Sequence, residues 1–334
     1  MNEKEIRSLA KNGLYQGKAL EGELEETHIS WIILTEIHAF KLKKPVKLSF
    51  LNFSTLKLRK TYCEKELMLN SRFTDVYEAV VPVYHNGGLW SLGEGQGEVI
   101  DYAVQMKRMS TASRMDKMLR HNKVGVDNIK ALAIEVAGFH KNADKVCQPF
   151  KLSTAMTLFN DIKNCKDLVK TKVGVSYAET IEGAIKWSDA FLKQHAERFQ
   201  QRIDQGMLRD VHGDLHSGNV FLYKKPVVFD CIEFNDKYRQ IDVLYEVAFM
   251  CMDLEAFQHQ ELAEEFLNTY SDSFPCFQVV EDQAIFNYFK CLRANVRAKV
   301  HALSIEQSHE DKEVQGHIVE VKKYVNLMKV YMAY

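Results

Sequence analysis

The chain has 334 residues, which favours two lobes or domains because a single core typically serves about 100–200 residues. Its 46% hydrophobic and 27% charged residues are ordinary for a globular protein. The net charge of −1 lacks the strongly basic balance of a dedicated nucleic-acid binder, so we expect no nucleic-acid partner.

The first 108 residues are predicted to form a small lobe with an antiparallel sheet and one helix. Residues 1–26 are polar with weak helical character and lack the apolar stretch of a signal peptide. Apolar runs at 29–34 and 37–43, joined by a turn, predict a hairpin. Ser54 predicts the start of a helix reaching about Phe73, and two further strands are expected near 80–84 and 99–106.

Residues 109–334 are predicted to form a larger, mostly helical lobe. Helical periodicity dominates 111–205, a strand-and-loop segment covers 211–234, and helices resume from about 241. The longest apolar run, 243–254, is too short for a membrane span, which needs roughly 20 apolar residues. Seven scattered cysteines without a C-x-x-C pair are typical of reduced thiols. We therefore expect an α+β, bilobal, cytoplasmic protein without a membrane partner.

The segment His212 to Asn219 fits the pattern H-x-D-L-x-x-x-N, which is typical of a kinase catalytic loop. In that chemistry the aspartate, here Asp214, orients the attacking hydroxyl and accepts its proton, and the asparagine coordinates magnesium. An apolar strand then leads to Asp230, a second carboxylate suited to the metal that bridges the phosphates.

Other interpretations of the polar residues are weaker. Metal-dependent hydrolysis through His212, Asp214 and His216 would need a fuller ligand set than the sequence offers nearby. The glycine repeat at 93–97 lies between two predicted strands and favours a flexible turn over a phosphate-binding loop. His140 is interpreted as a helix-end or core histidine.

Together these motifs resemble the aminoglycoside phosphotransferase-like kinases, a family with a protein kinase-like fold. A closer resemblance, from about residue 27 to 303, is to an uncharacterised bacterial branch of that family, in some members of which a P-loop domain follows. This sequence contains no such motif. The segments that carry this resemblance are Thr27–Trp31, Lys41–Val46, Cys63–Leu67 with Asn70, Asp230–Phe234 and Asp242–Asp253.

The resemblance implies an ATP-dependent transfer of the γ-phosphoryl group to a hydroxyl of a small molecule, with Mg²⁺ as cofactor. Another nucleoside triphosphate stays open as the co-substrate in place of ATP. It implies that Asp214 is the catalytic aspartate, that His212 braces its loop, and that Asn219 and Asp230 hold magnesium. It also implies that the backbone around Met106 and Lys107 meets adenine and that Asp242 supports the active-site loop.

The lysine for the α- and β-phosphates is predicted to be Lys41. Side chains alternate along a strand, so Lys41 and Lys43 share one face, and Ala39-Phe40-Lys41 matches the A-x-K end of the kinase motif. Lys43 stays open as the alternative. Glu66 is predicted to pair with this lysine, since it falls on the apolar stripe of its helix, whereas Glu64 lies beside Lys60.

Three departures from the family pattern leave residue roles open. The first hairpin has no glycine, the spacing from Asp230 to Glu233 leaves the role of Glu233 undecided, and Glu246 stands where an aspartate is common. Two alternative functions stay open. One is a pseudokinase that binds nucleotide or a partner without turnover, and the other is a protein kinase, although the sequence lacks the A-P-E element of protein kinases. On the helix near 281–303 a basic stripe is either a solvated face or part of a pocket for an anionic acceptor. Its members are Lys290, Arg293, Arg297 and His301.

Overall fold

The computed structural model describes residues 1–48, 51–308 and 310–333. Two compact units divide the chain. The first unit contains 1–118, 218–223 and 227–239, and the second contains 119–217, 224–226 and 240–334. The predicted α+β class is confirmed, whereas the functional boundary between 1–108 and 109–334 stays a prediction.

The first unit is built on an eight-stranded sheet, in which every pairing is antiparallel except that of the short strand β1 with β7. The spatial order is β2-β1-β7-β6-β8-β5-β4-β3. The strands are β1 (Leu14–Tyr15), β2 (Lys18–Ala19), β3 (Glu23–Glu26), β4 (Ser30–Leu34), β5 (His38–Lys43), β6 (Tyr77–Asn86), β7 (Leu89–Leu92) and β8 (Glu98–Lys107).

The predicted hairpin is β4–β5, in which Ile32 lies opposite Lys41. The two central strands expected from the sequence are β6 and β8, each ten residues long and therefore longer than predicted. Strands β1, β2, β3 and β7 were not predicted. Strands β1, β2 and β3 have only two or four residues, and β2 and β3 are largely exposed, so they lack the apolar alternation that reveals a strand in sequence.

Two helices pack on this sheet in the first unit. Helix α1 (Glu3–Asn12), absent from the prediction, begins with a capping box between Asn2 and Glu5. Its residues Ile6 and Leu9 join one apolar cluster with the sheet. Helix α2 (Leu56–Asn70) is capped by Thr55 instead of Ser54, through a bond that the Thr55 hydroxyl accepts from Leu58 N.

Successive side chains of β5 point to opposite faces of the sheet, so one set packs toward α1 and the other toward α2. Phe40 and Leu42 are fully buried in the cluster that contains α1. Ala39 joins a second cluster with Cys63 of α2, so Lys41 and Lys43 point to the α2 face as well. Strand β5 therefore places Lys41 and Lys43 beside the face of α2 that carries Glu66.

The rest of the first unit is a short hairpin of β10 (Val220–Phe221) and β11 (Val227–Val228), which ends just before Asp230. The second unit pairs β9 (Leu208–Asp210) with β12 (Gln240–Asp242). Its helices are α4 (Val126–Asn142), α5 (Leu152–Asn160), α6 (Lys166–Lys172), α7 (Val175–Gln194), α8 (Ala196–Asp204), α9 (Val243–Ala256), α10 (Gln260–Ser273), α11 (Glu281–Gln307) and α12 (Asp311–Tyr331), while α3 (Met115–Arg120) contains the boundary between the units.

Helix α9 forms the centre of the second unit, where it packs against α10, α11 and α12. Almost every residue of α9 is buried, which explains its apolar sequence without a membrane. In the described part of the chain, no helix is both long and apolar enough to cross a bilayer.

Candidate active site

A chain of alternating charges lies in the first unit between β5, α2 and the segment after β11. The ammonium of Lys41 donates to Glu66 Oε1 at 2.8 Å and to Asp230 Oδ1 at 2.5 Å. Lys43 donates to the other oxygen of Glu66 at 2.7 Å and also to Glu233. Both glutamates and Lys43 are buried, whereas the Asp230 side chain is 42% exposed.

These contacts set the charge state of each group. Burial raises the pKa of the Glu66 carboxyl, but Lys41 and Lys43 outweigh it and lower that pKa to about 2. Burial lowers the pKa of Lys41, and Asp230 and Glu66 more than reverse this effect. Burial raises the pKa of Glu233 despite the opposing charge of Lys43. At neutral pH, Lys41, Lys43 and Glu66 are therefore charged.

The structure distinguishes the two lysines and the two glutamates. Glu64 is exposed and lies 3.7 Å from Lys60, whereas Glu66 is buried between Lys41 and Lys43. Lys41 reaches the half-exposed Asp230, while the Lys43 side chain is only 1% exposed. Their roles toward ATP stay predictions, but the accessible ammonium is that of Lys41.

Asp230 is held in an unusual backbone conformation. Its φ of +66° lies in the left-handed region, which non-glycine residues rarely adopt. Its N–H donates to the Tyr77 hydroxyl at 3.1 Å, and the next N–H, of Cys231, donates to Asn70 Oδ1 at 2.9 Å. The Asn70 side chain in turn donates to the backbone oxygen of Glu66. Helix α2 thus fixes both the carboxylate partner of Lys41 and the segment that carries Asp230.

Asn219 lies close to Asp230 in the chain fold of the first unit. The Asn219 backbone oxygen accepts a bond from Phe229 N at 3.1 Å, at the point where β10 and β11 pair. One amide oxygen and one carboxylate are hard donors of the kind that magnesium takes from proteins, with phosphate oxygens and water completing its shell. The pair therefore fits the predicted magnesium ligands.

The predicted adenine-contacting segment lies at the end of β8. Met106 is buried opposite Ala39 of β5 and packs in the cluster of the α2 face. The N–H groups of Lys107 and Arg108 already donate to Val76 O and Ile37 O, so they are not available to a base. The Lys107 side chain is exposed and pairs with Asp75 at 2.8 Å. Contact of this segment with adenine stays a prediction.

In the second unit, two acids of helix α9 accept hydrogen bonds from the backbone of the loop that carries Asp214. Glu246 accepts bonds from the N–H groups of His212 and Gly213 and lies 2.7 Å from His140 Nε2. Two turns later Asp253 accepts from Ser217 N at 2.8 Å. Both ends of the loop are therefore fixed by acids on one face of α9.

The loop conformation depends on Gly213, whose φ is +88°. Its N–H donates to Glu246, and its oxygen accepts from Arg293 Nη2 at 3.0 Å. His212 is 1% exposed, and its Nδ1 accepts from Asp214 N at 3.2 Å, as its predicted bracing role requires. A ring nitrogen of His212 is therefore occupied by the loop itself.

Asp214 is ionised at neutral pH. Burial raises the pKa of its carboxyl, but His216, at 3.5 Å, together with Arg293 and His212, holds that pKa far below its usual range. Such a carboxylate is a weak base, so its predicted catalytic role is to orient a hydroxyl and to take the proton only once a bond to phosphorus is forming. Within the described residues, no group of three or more His, Cys, Asp or Glu side chains is arranged to hold a metal, including His212, Asp214 and His216.

The sequence did not assign Glu246 or Arg293 to the support of this loop, although both contact it directly. The available signal for Glu246 was an acid within an apolar helix, which needs a buried partner. His140 is fully buried and bonded to Tyr270 and Glu246, which agrees with its interpretation as a core histidine. Asp242 does not touch the loop in the contacts observed. It caps α9 and binds Arg202 at 2.7 Å.

Comparison with known proteins is consistent with this geometry. Residues 119–280, which include the Asp214 loop and its supporting helix, match the model of the Phosphotransferase enzyme family. The predicted family resemblance is confirmed. Uncharacterized proteins of Mycobacterium tuberculosis and Mycobacterium bovis are each 28% identical over 291 residues, covering 85% of this chain and 55% of theirs. The chain thus spans about half the length of the curated relatives it matches.

Solved structures of kinases share the fold. Choline kinase from Cryptosporidium parvum Iowa II has a TM-score of 0.57 at 11% identity, covering 98% of this chain and 96% of its own. A choline/ethanolamine kinase family protein from Mesorhizobium loti has a TM-score of 0.52 at 10% identity, covering 99% and 100%. The predicted protein kinase-like fold is confirmed, and at these identities the likeness concerns the fold alone.

Proposed function

We propose that this protein transfers the γ-phosphoryl group of ATP to a hydroxyl of a small molecule. The observation that carries the proposal is the Lys41 ammonium, which bridges buried Glu66 and half-exposed Asp230. A lysine held by a helix acid and placed beside a metal-binding aspartate is the arrangement that kinases use for the phosphates of ATP. The match of residues 119–280 to phosphotransferases supports the same reaction class.

In this proposal Lys41 binds the α- and β-phosphates, and Glu66 fixes its position. Asn219 and Asp230 hold Mg²⁺, which neutralises charge on the phosphates when bound. Asp214 orients the acceptor hydroxyl. As the new oxygen–phosphorus bond forms and the bond to the β-phosphate oxygen breaks, the hydroxyl proton passes to Asp214 and ADP leaves.

Lys41 releases part of its contact with Asp230 when nucleotide binds, because the phosphates and the metal offer both groups stronger partners. The backbone near Met106 and Lys107 contacts the adenine ring through groups other than the N–H groups of Lys107 and Arg108, which already donate to Val76 O and Ile37 O. His212 keeps Asp214 in register through the bond that it accepts from Asp214 N.

The direct test is magnesium-dependent ADP formation with a panel of small alcohols. Asp214→Asn is expected to keep the fold and nucleotide binding and to lower kcat by about 10²–10⁴-fold. Asp127→Asn, an exposed aspartate in the first turn of α4, is the matched control and leaves turnover unchanged. Turnover of the Asp214 variant within a few-fold of wild type contradicts the assignment.

A second measurement separates the metal from the base. Asp230→Ala is expected to weaken binding of Mg²⁺-ATP much more than binding of adenosine, because Asp230 would serve the metal and Lys41, and adenosine has no phosphates that need either. Equal losses for both ligands contradict the metal role. Binding of Mg²⁺-ATP without turnover of any acceptor favours the pseudokinase alternative.

A further inference from the structure

Three residues on successive turns of α11 carry side-chain nitrogens that are buried and have no hydrogen-bond partner. They are Arg293, Arg297 and His301, and the atoms concerned are the two arginine Nε atoms and the histidine Nε2. Residues four apart share one face of a helix, so these groups form a single stripe. Buried polar atoms without a partner are rare in folded proteins, and a run of them on one face indicates that something outside the described chain supplies acceptors.

Arg293 anchors the stripe to the Asp214 loop. Its guanidinium lies 3.8 Å from the ring centre of Tyr245 and 4.4 Å from that of Phe249, and Nη2 donates to Gly213 O. These contacts fix the plane of the guanidinium, because a cation held over two rings and one carbonyl has little freedom. The positive charge is therefore held beside Asp214, whose pKa it helps to lower.

Arg297 is the less constrained member. Its Nε has no hydrogen-bond partner, and no carboxylate lies within ion-pair distance of its guanidinium among residues 1–48, 51–308 and 310–333. Its neighbour is the neutral Tyr324, whose side chain hydrogen-bonds the guanidinium and whose ring is centred 5.6 Å away. Burial lowers the pKa of Arg297, while Tyr324 and Asp253 raise it overall, so the group is charged. A half-buried guanidinium whose neighbour is a neutral hydroxyl and not a carboxylate is costly unless an anionic ligand compensates its charge.

The other cations of α11 show that this lack of partners is selective. Lys290 pairs with Glu255 at 2.9 Å, and Lys299 pairs with Asp161 at 2.5 Å. Segments outside α11 therefore supply carboxylates to its two lysines, whereas no carboxylate in the described part of the chain lies within ion-pair distance of Arg293 or Arg297. His301 adds no charge near neutral pH, because burial and Arg297 lower its pKa to about 4.

We propose that Arg293 and Arg297 bind an anionic group of the acceptor, so that the substrate is an alcohol that also carries a phosphate or a carboxylate. The fork of a guanidinium matches the paired oxygens of both groups, and the stripe begins at the loop that orients the reacting hydroxyl. This inference rests on the proposed phosphotransferase activity. It also decides between the two interpretations of the basic stripe, since a solvated face would leave these nitrogens in water.

The alternative is that Arg293 and Arg297 contact the phosphoryl group during its transfer. Steady-state kinetics distinguish this contact from one with an anionic group of the acceptor. An acceptor contact changes the KM of anionic acceptors alone. A contact with the transferred group changes kcat for every acceptor and leaves the acceptor KM unchanged.

The experiment uses matched pairs of alcohols, namely glycerol with glycerol 3-phosphate, glucose with glucose 6-phosphate, and glucose with gluconate. ADP formation is measured for wild type, Arg297→Gln, Arg297→Lys and the control Lys299→Gln. The anionic member of at least one pair is expected to have the higher kcat/KM by tenfold or more. Arg297→Gln then raises the acceptor KM by about 10- to 100-fold, the loss expected for a charge-assisted hydrogen bond, without changing the KM of ATP.

Arg297→Lys keeps the charge and is expected to recover part of the affinity, and Lys299→Gln is expected to match wild type. A preference for neutral or amine-bearing alcohols overturns this inference and leaves the proposed function intact. So does an equal loss of kcat on all acceptors in Arg297→Gln.

If no alcohol of the panel is phosphorylated, binding decides the matter. Inorganic phosphate is titrated into a Lys41→Met background, which removes the predicted nucleotide-phosphate contact, with and without Arg297→Gln. Affinity that falls tenfold or more in the Arg297 variant supports an anion site. Equal affinity overturns it. Failure of the proposed function has a different signature, namely absence of both Mg²⁺-ATP binding and turnover.

Discussion

At the scale of single residues, the two lysines of the charge chain that runs from Asp230 to Glu233 differ in how deeply they are buried. Lys43 is 1% exposed and is shared by two buried glutamates, whereas Lys41 reaches the half-exposed Asp230. Removing one partner of a buried ion pair leaves an uncompensated charge, which is far more harmful than losing an exposed pair. The two neighbouring lysines should therefore respond differently to the same substitution.

Lys43→Met is expected to lower the free energy of unfolding by about 3–5 kcal/mol, because Glu233 and Glu66 lose their shared cation. Lys41→Met should unfold closer to wild type, since Glu66 keeps Lys43, and should raise the KM of ATP. Urea unfolding and steady-state kinetics on both variants measure the contrast. The double variant Lys43→Met/Glu233→Gln should recover part of the lost stability. If Lys43→Met damages the KM of ATP more than Lys41→Met does, Lys43 is the phosphate ligand.

The decrease in the free energy of unfolding at acid pH should depend on Glu66. Its pKa falls from 4.5 to about 2 on folding, so its ionised form stabilises the fold above about pH 4.5. That contribution, about 3 kcal/mol from the size of the shift, is lost as pH falls from about 4.5 to about 2. The difference in unfolding free energy between wild type and Glu66→Gln should be constant above pH 5 and should shrink below it. A difference that does not change with pH contradicts the lowered pKa.

At the scale of elements, helix α9 supports the loop that carries Asp214. Its two acids, Glu246 and Asp253, accept backbone bonds from opposite ends of that loop. Burial raises the pKa of Glu246, but the bond to His140 and nearby positive groups lower it overall, so the acid is ionised where the loop needs an acceptor. The helix thus transmits its rigidity to Asp214 through hydrogen bonds to the backbone.

Glu246→Ala is expected to leave the N–H groups of His212 and Gly213 without acceptors, to destabilise the protein by about 3–5 kcal/mol and to lower kcat. Thermal unfolding and turnover are the measurements. Glu246→Gln keeps one acceptor oxygen and should lose less of both. Met250→Leu, a volume-conserving change in the same buried helix, is the control and should stay within about 1.5 kcal/mol of wild type. Wild-type turnover in a folded Glu246→Ala protein would mean that the loop does not depend on α9.

At the scale of the whole molecule, the seven cysteines test how the chain is packed. All are free thiols, and only Cys147 is exposed. Burial raises the pKa of five of the six buried thiols, for example that of Cys63 to about 12, which keeps these thiols protonated and unreactive. A thiol reagent at pH 8 is expected to modify one cysteine rapidly in the native protein and all seven in denaturant. Cys147→Ser should abolish the rapid phase, and several rapid thiols in wild type would contradict the described burial.

Local patterns in the sequence determined the elements with strong periodicity. The alternation in β5, the position of α2 and the apolar run of α9 each follow from residues a few positions apart, although α2 ends at Asn70 and not near Phe73 as predicted. The octet from His212 to Asn219 likewise indicated the class of chemistry, because its residue types and spacing are rarely combined otherwise. Short exposed strands such as β2 and β3 carry no such pattern, since their partners lie elsewhere in the chain.

Only the tertiary structure decided which charges meet. Lys41 and Lys43 share a face of one strand, so the sequence could not separate them. Contacts across 189 residues, to Asp230 for Lys41, and across 190 residues, to Glu233 for Lys43, do so. In the same way the basic residues of α11 are alike in sequence, but carboxylates from distant segments pair with its lysines and leave Arg297 without one. Pairing of charges is a property of packed neighbours, and neighbours that are far apart in the chain leave no local signal.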